Sequence, residues 1–264
     1  MNKLDENNHL ILTERHEQIL ALLRQRGSMS VVQLSEYFKV SEVTIRKDLT
    51  VLEQQKRLYR THGSAILISP YIGNRHVNEK EKRCVAEKQS IGAAAATLIA
   101  EDDSVIIASG TTMTFLSREI QPKGRLTVIT SSVLVTQILS QQEQADVIQL
   151  GGITRRTSMS VVGPFAERML HGFNCSKLFI GVDGVDPDFG LTTTDMMEAS
   201  LNRAMIDAAQ KVIVLADSSK FGRRGFSKIC GIEDVDLVIT DSGTPKLFLD
   251  KLREQGIEVW VVEK

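Results

Sequence analysis

Ser41-Glu42-Val43-Thr44-Ile45-Arg46-Lys47-Asp48-Leu49 reads as one helix with two incompatible faces. At about 100° per residue, Ile45, Leu49 and Leu52 fall on one narrow apolar stripe, while Val43, Arg46, Lys47, Thr50 and Gln54 fall on the other side. Ser41 stands where an N-cap belongs, its hydroxyl able to accept from a first-turn N–H. An outer face of Arg, Lys and Thr suits a DNA groove, where cationic groups reach phosphates and guanine edges and a Thr methyl or hydroxyl touches bases or backbone. The same pattern alone also describes a solvated amphipathic helix, so the flanking sequence decides.

On the N-terminal side, Thr13 is placed to cap a helix that turns Ile19, Leu20 and Leu23 inward and ends near Gly27. Ser30-Val31-Val32-Gln33 has the form of a capping box and opens a short helix with Leu34 and Phe38 on one side. A tight turn at Lys39-Val40 then leads into Ser41. Three short helices with a sharp turn between the second and third make a helix-turn-helix unit. On the C-terminal side, Leu58 to Ile66 alternates loosely around Gly63, which predicts a two-stranded wing with Arg60 and His62 near its tip. The expected DNA contacts are therefore Ser41, Thr44, Arg46, Lys47, Thr50, Arg60 and His62. They belong to a winged helix-turn-helix domain over 13–68, with a reading helix over about 41–55.

The chain has 264 residues, room for this small domain and one of medium size. With 42% hydrophobic and 25% charged residues it has the composition of an ordinary globular protein. Its net charge is −1, so no global basic field advertises a polyanion partner. The charge is uneven: residues 1–65 carry 10 Lys and Arg against 8 Asp and Glu, and the remainder carries 22 against 25. Cys84, Cys175 and Cys230 are widely spaced with no CxxC or Cys/His cluster, so neither a disulfide framework nor a metal site is expected, and no cofactor is indicated. No apolar run approaches a signal peptide or a membrane span, which makes the expected setting the cytoplasm, away from membranes.

Residues 69–79 contain Pro, Gly and Asn without periodicity and read as a linker. A long helix is expected from Glu79 to about Ala100. Seven apolar runs follow, at Val105–Ala108, Leu126–Thr130, Val147–Leu150, Leu178–Val182, Val212–Ala216, Leu237–Thr240 and Ile257–Val262, with helical stretches such as 132–140, 195–209 and 245–255 between most of them. Apolar strands joined by helices predict an α/β domain over 80–264 whose mostly parallel sheet is covered on both faces.

Ligands of such sheets bind beyond the carboxyl ends of the strands. The loops there offer Ser109-Gly110-Thr111-Thr112, Ser131-Ser132, Gly151-Gly152, Asp183-Gly184 and Asp217-Ser218-Ser219-Lys220. Small and hydroxyl-bearing residues with one ammonium and two carboxylates fit a phosphorylated polyol. Backbone N–H groups at Gly110 would face phosphate, Lys220 would add charge, and Asp183 or Asp217 would accept from hydroxyls. Ser109, Gly110, Thr111, Thr112, Ser131, Gly151, Gly152, Asp183, Gly184, Asp217 and Lys220 are the expected effector residues. Arg155-Arg156 and Arg223-Arg224 read as solvated or intersubunit charges.

Over Arg15 to Ala65 the chain resembles the DeoR family of bacterial sugar-metabolism repressors, through Val40-Ser41, Thr44-Ile45-Arg46-Lys47-Asp48-Leu49, Leu52, Leu58, Arg60 and His62-Gly63. It departs at Lys47, where that family commonly has Arg, and at Lys56 and Ser64, where Gly is usual. Lys lacks the flat two-pronged fork of Arg, so Lys47 suits phosphate better than a base edge. The resemblance continues through Ser109-Gly110-Thr111-Thr112, Leu150-Gly151-Gly152, Gly163, Phe179 to Asp186, Gly190, Asp217 to Phe221 and Ile239-Thr240-Asp241, with Ser131 where Asn is common. It implies a second domain like ribose-5-phosphate isomerase and the CoA-transferases in fold, and a sugar-phosphate inducer touching Gly110, Thr111, Asp183, Asp217 and Lys220. It also implies a homo-oligomer, dimer or tetramer, on double-stranded operator DNA. Leu201 to Met205 and Gly256 to Val259 resemble the branch controlling amino-sugar catabolism. The expected function is a repressor of a sugar operon rather than an enzyme. The alternative is a sugar-phosphate isomerase with an accessory DNA-binding head, using Asp183, Asp186 and Lys220 as acid and base.

Overall fold

The computed structural model describes residues 14–23, 28–55, 57–61, 64–67 and 76–263. Internal contacts divide the chain into two units, Met1–Pro70 and Tyr71–Lys264.

The first unit holds α1 (residues 14–23), β1 (Ser28–Ser30), α2 (Val31–Phe38), α3 (Glu42–Gln54), β2 (Leu58–Thr61) and β3 (Ser64–Leu67). The expected cap at Thr13, the helix end near Gly27, and His62 and Gly63 at the wing tip lie outside the described residues. Ser30 and Gln33 form the capping box reciprocally: Gln33 N–H donates to Ser30 Oγ at 3.1 Å and Ser30 N–H to Gln33 Oε1 at 2.9 Å. Lys39, left-handed at φ 53°, stops α2, and the Ser41 hydroxyl accepts from Thr44 N–H to start α3. The wing has a third strand that hydrophobic alternation did not reveal. β1 pairs antiparallel with β3, which pairs with β2, giving the order β1-β3-β2. Ile19, Leu20, Leu23, Leu34, Ile45, Leu49, Leu52 and Leu58 close the core between helices and wing.

One buried group on α3 is not apolar. Asp48 is 2% exposed and accepts a two-pronged pair from Arg15 on α1, Nε at 2.7 Å and Nη2 at 3.0 Å, with His16 Nε2 at 3.2 Å from the same carboxylate. Hydrogen bonding to that carboxylate raises the Arg15 guanidinium further. The pair locks α1 across the inner side of α3 and so fixes which side of α3 faces out.

The second unit opens with α4 (Val77–Glu81) and α5 (Val85–Ala96). The expected continuous helix from Glu79 is therefore broken, at Cys84, whose φ of 50° is left-handed. The remaining elements are β4 (Ser104–Ile107), α6 (Thr111–Glu119), β5 (Leu126–Thr130), α7 (Val133–Leu139), β6 (Ala145–Gln149), β7 (Ile153–Arg155), β8 (Ser160–Val162) and α8 (Pro164–Leu170). Then come β9 (Lys177–Gly181), β10 (Gly184–Asp186), β11 (Gly190–Thr193), α9 (Met196–Asp207), β12 (Val212–Leu215), β13 (Ser227–Cys230), β14 (Leu237–Asp241), α10 (Lys246–Glu254) and β15 (Glu258–Val262). All seven expected strands join one sheet in the order β15-β14-β12-β9-β4-β5-β6, and every pair in it is parallel. The two-stranded β7-β8 and the three-stranded β10-β11-β13 are additions, too short to leave a periodic signal.

Val105, Ile107, Phe179, Ile213, Leu215, Leu237 and Ile239 from the sheet pack with Ile91 and Ala95 of α5 and Met113 and Leu116 of α6. Gly92 lets the two helices meet: a Cβ there would lie 2.8 Å from Leu116 N. Chain order runs outward from β4 in both directions, β5 and β6 on one side, β9 onward on the other. The crossovers from β4 and β9 therefore leave a crevice between their carboxyl ends, the switch point where open sheets bind ligands.

Asp48→Ala removes the buried carboxylate and leaves the half-buried Arg15 guanidinium without its two-pronged partner, which is expected to cost about 2 kcal/mol. Urea unfolding of the whole chain followed by circular dichroism should show the corresponding transition at lower denaturant. An unshifted midpoint would mean that the pair contributes nothing.

Candidate functional site

On the head, Arg46, Lys47 and Val43 are exposed on α3, and Thr44 and Thr50 are half-buried. Arg46 Nη2 donates to Glu42 Oε2 at 2.6 Å, one helical turn back. An exposed i, i+4 pair of this kind stabilises by only about 0.5 kcal/mol, so the guanidinium can leave it for a stronger acceptor. Ser41 Oγ meets Thr44 Oγ1 at 2.9 Å as well as capping the helix. Thr50 Oγ1 donates to Arg46 O and accepts from Arg60 Nη1 of the wing, while Arg60 N–H donates to Glu53 Oε1 at 3.0 Å. The wing strand carrying Arg60 is thereby fastened along α3. Six of the seven nominated residues thus lie on α3, at its cap or fastened to it, and His62 lies outside the described residues.

In the second unit a small open cleft lies at the β4/β9 switch point. Ser109, Gly110, Thr111, Thr112, Asp183 and Lys220 line it, as do Lys80, Thr193 and Glu198, which the sequence reading missed. Gly110 caps α6 at φ 126°, and a Cβ there would meet nothing within 4 Å, so glycine serves the backbone conformation rather than the room. The turn it makes brings the N-terminus of α6 to the cleft, with first-turn N–H groups suited to an anion.

Asp183 is the hub. Its Oδ1 lies 2.8 Å from Lys80 Nζ and 3.8 Å from Lys220 Nζ. Its Oδ2 accepts from the Thr194 hydroxyl at 3.3 Å and shares the Thr193 hydroxyl, also at 3.3 Å, with the nearer Glu198. Burial works to raise this carboxyl, but the two ammonium groups outweigh it and hold Asp183 below the usual carboxylate value. Opposite stands Glu198, accepting from Ser109 Oγ at 3.2 Å, Thr193 Oγ1 at 2.9 Å and Arg155 Nη1 at 2.8 Å. Lys80, Lys220 and Arg155 stand against Asp183, Glu198 and Asp195, so the group is balanced in formal charge.

Five nominated residues are not among those that line the cleft. Ser131 is buried, its carbonyl accepting from Val161 N–H. Gly151 donates its N–H to Met169 Sδ, and a Cβ at Gly152 would sit 2.6 Å from Val162 O. A Cβ at Gly184 would sit 2.3 Å from Arg223 O. Asp217 caps the following turn, accepting from Ser219 N–H at 3.0 Å. The basic pairs also need correction. Arg155 is nearly buried between Glu198 and Asp195, and Arg224 Nε binds the fully buried Asp186 at 2.5 Å while its guanidinium lies over the Phe189 ring. A guanidinium reaches several ångströms beyond its loop, so adjacency in sequence hides such partners. Asp186 is thus engaged by Arg224 and does not line the cleft, and the acid–base set Asp183, Asp186 and Lys220 is not assembled there.

Beneath the cleft, Lys88 is 3% exposed and donates to the Lys80 and Arg83 carbonyls. Burial lowers its ammonium below the ordinary lysine value, with Asp217 pulling the other way. Burial likewise raises the neighbouring Cys84 thiol, and drives Cys230 up to about 12. Among the described residues no group of three or more His, Cys, Asp or Glu could hold a metal ion, and no helix is long and apolar enough to cross a membrane.

Residues 15–71 match a DeoR-like helix-turn-helix domain and residues 83–242 a DeoR C terminal sensor domain. The chain is 38% identical to a putative aga operon transcriptional repressor of Escherichia coli O157:H7, over 95% of this chain and 94% of that protein. It is 36% identical to the uncharacterized HTH-type transcriptional regulator YulB of Bacillus subtilis, over 96% and 98%. Among solved structures it is similar to ribose 5 phosphate isomerase A from Neisseria gonorrhoeae, at 15% identity over 51% of this chain and 52% of that one; a TM-score of 0.36 gives that likeness no weight. With more than half of its length matched by the sensor domain and nearly all of it aligned with these regulators, the chain belongs to the DeoR family of transcriptional regulators.

Proposed function

We propose that this regulator represses a sugar-catabolism operon and is released from it by a phosphorylated sugar bound in the switch-point cleft. The observation that carries this reading is the cleft's chemistry: a helix N-terminus and two lysine ammonium groups for phosphate, beside a buried and a half-buried carboxylate with hydroxyls around them for a polyol. The name of the aga operon relative points the same way, toward amino sugars. On the head, Arg46 would read a guanine edge, Val43 would offer apolar contact to a thymine methyl, and Lys47, Ser41, Thr44, Thr50, Arg60 and His62 would serve backbone or groove contacts. One short reading helix covers too few base pairs for specificity, so the working form is a homo-oligomer, dimer or tetramer, acting in the cytoplasm. The division of labour follows the two units, head over 13–68, linker over 69–79, effector and oligomerisation domain over 80–264.

A sugar-phosphate isomerase gains no support from the cleft. Asp183 is held ionised by two ammonium groups, so it is not poised to shuttle a proton near neutral pH, and Asp186 is bound to Arg224 away from the cleft lining.

Thermal-shift screening of pentose and hexose phosphates tests the cleft, because a ligand of the native state raises its melting temperature. A shift with at least one sugar phosphate and none with the parent sugars is expected; no shift across the panel would remove the effector assignment. Lys220→Ala should abolish both the shift and the release of operator DNA, and a variant that still releases normally would take Lys220 out of the site. Arg46→Ala should weaken binding to a selected operator duplex by about 1–3 kcal/mol and flatten its base preference. Unchanged affinity across a gel-shift series of single-base operator variants would exclude Arg46 as a reader.

A further inference from the structure

α4 is a five-residue helix that begins ten positions after Leu67 closes the head. A single turn of helix has too few internal hydrogen bonds to hold itself, so its place is set by what grips it. Val77 N–H donates to Thr157 O at 2.7 Å in the β7–β8 connection. Glu81 accepts from Arg118 of α6 at 2.9 Å. Lys88 donates to the Lys80 and Arg83 carbonyls at its end. The fourth grip is the Lys80 ammonium, which crosses to Asp183 in the cleft. Of these, only the last lies where a ligand would sit.

We propose that Lys80 is the tether through which occupancy of the cleft sets the position of α4 and hence the DNA-binding state of the chain. This rests on reading the cleft as a sugar-phosphate site. Both oxygens of Asp183 are used, Oδ1 by two ammonium groups and Oδ2 by threonine hydroxyls. A polyol hydroxyl that seeks Asp183 must displace one of them. Thr193 belongs to β11, with Thr194 next along the chain, and Lys220 ends a three-residue 3-10 turn that Asp217 caps directly after β12. Lys220 stands 3.8 Å from Oδ1 against 2.8 Å for Lys80, so Lys80 makes the hydrogen-bonded contact, and it rides on α4, the first helix after the head in chain order. A phosphomonoester also carries about −1.5 to −2 charge near pH 7 against −1 for the carboxylate, so the ammonium gains by exchanging partners. The ligand then binds the untethered arrangement better than the tethered one, which is the differential affinity any release mechanism requires.

The tether predicts that its loss imitates the effector. The operator duplex is one selected by the wild-type chain from a random-sequence pool, and affinities are read by fluorescence anisotropy on the full chain. Without ligand, Lys80→Gln and Asp183→Asn should each bind it roughly 5- to 150-fold more weakly, the usual span of allosteric coupling. The double variant should be no weaker than the weaker single, and Lys80→Arg should recover most of the wild-type affinity. Ribose 5-phosphate, glucose 6-phosphate, fructose 6-phosphate or glucosamine 6-phosphate, whichever releases the wild type, should add little to the release already present in Lys80→Gln.

The proposal is overturned if Lys80→Gln binds the duplex as the wild type does. It is overturned equally if the weakening comes with loss of the sensor domain's thermal transition, or if the two single losses simply add. A wild-type chain indifferent to all four sugar phosphates would instead sink the reading of the cleft, while the ligand-free affinities would still decide the tether.

Discussion

The parallel pairing of β4 with β9 is the constraint from which the sensor domain's chemistry follows. Ile107 and Phe179 sit opposite each other in that pair, and both strands are buried against helices. Their chains then leave in opposite directions, β4 toward β5 and β9 toward β12. The backbone groups at both carboxyl ends must find partners without a covering crossover, and the space between them is where Ser109 to Thr112 and Gly181 to Asp183 line one cleft. Residues some 70 positions apart thus meet because of strand order, before any side chain is considered.

The head answers a different constraint, two demands on one helix. α3 must bury Ile45, Leu49 and Leu52 while holding Arg46 and Lys47 outward. An apolar stripe alone would tolerate some rotation about the helix axis. Asp48 removes that freedom: a carboxylate paired two-pronged with Arg15 fits one rotation only, and its neighbour Lys47 is then exposed by helical geometry. The acid among the basic residues of this stretch is an anchor, and its burial defines the reading face.

Five of the seven sheet strands were legible because buried parallel strands are apolar, β-branched runs. The half-exposed edge strands β6 and β15 showed shorter apolar runs, and the bounds of all seven shifted by no more than two residues. The capping box at Ser30 and the cap at Ser41 were legible because both act within four residues. What escaped notice acts across the chain. Lys80, Glu198 and Arg155 reach the cleft through pairings 103, 89 and 43 residues long in sequence, and no local pattern marks them. The loop ends are ambiguous in the other direction. Gly152, Gly184 and Asp217 have the residue types of a phosphate loop, yet each meets a local need, two close backbone approaches and one turn cap. Small and capping residues are demanded wherever a strand turns into the next element, so composition cannot separate a ligand loop from an ordinary one; only the switch point can.

The electrostatics of the cleft carry the last step. A carboxylate that serves as general base works best with its pKa near the working pH, which requires burial without nearby cations. Asp183 has the burial and, beside it, two ammonium groups that reverse its effect. The same arrangement that makes it a poor proton carrier makes it a strong acceptor, ionised near neutral pH. One of its cations sits on a helix too short to hold its own position, next in order after the head. A cleft built this way is better suited to registering a ligand than to transforming it, because each contact the ligand makes is taken from a contact the protein was already using.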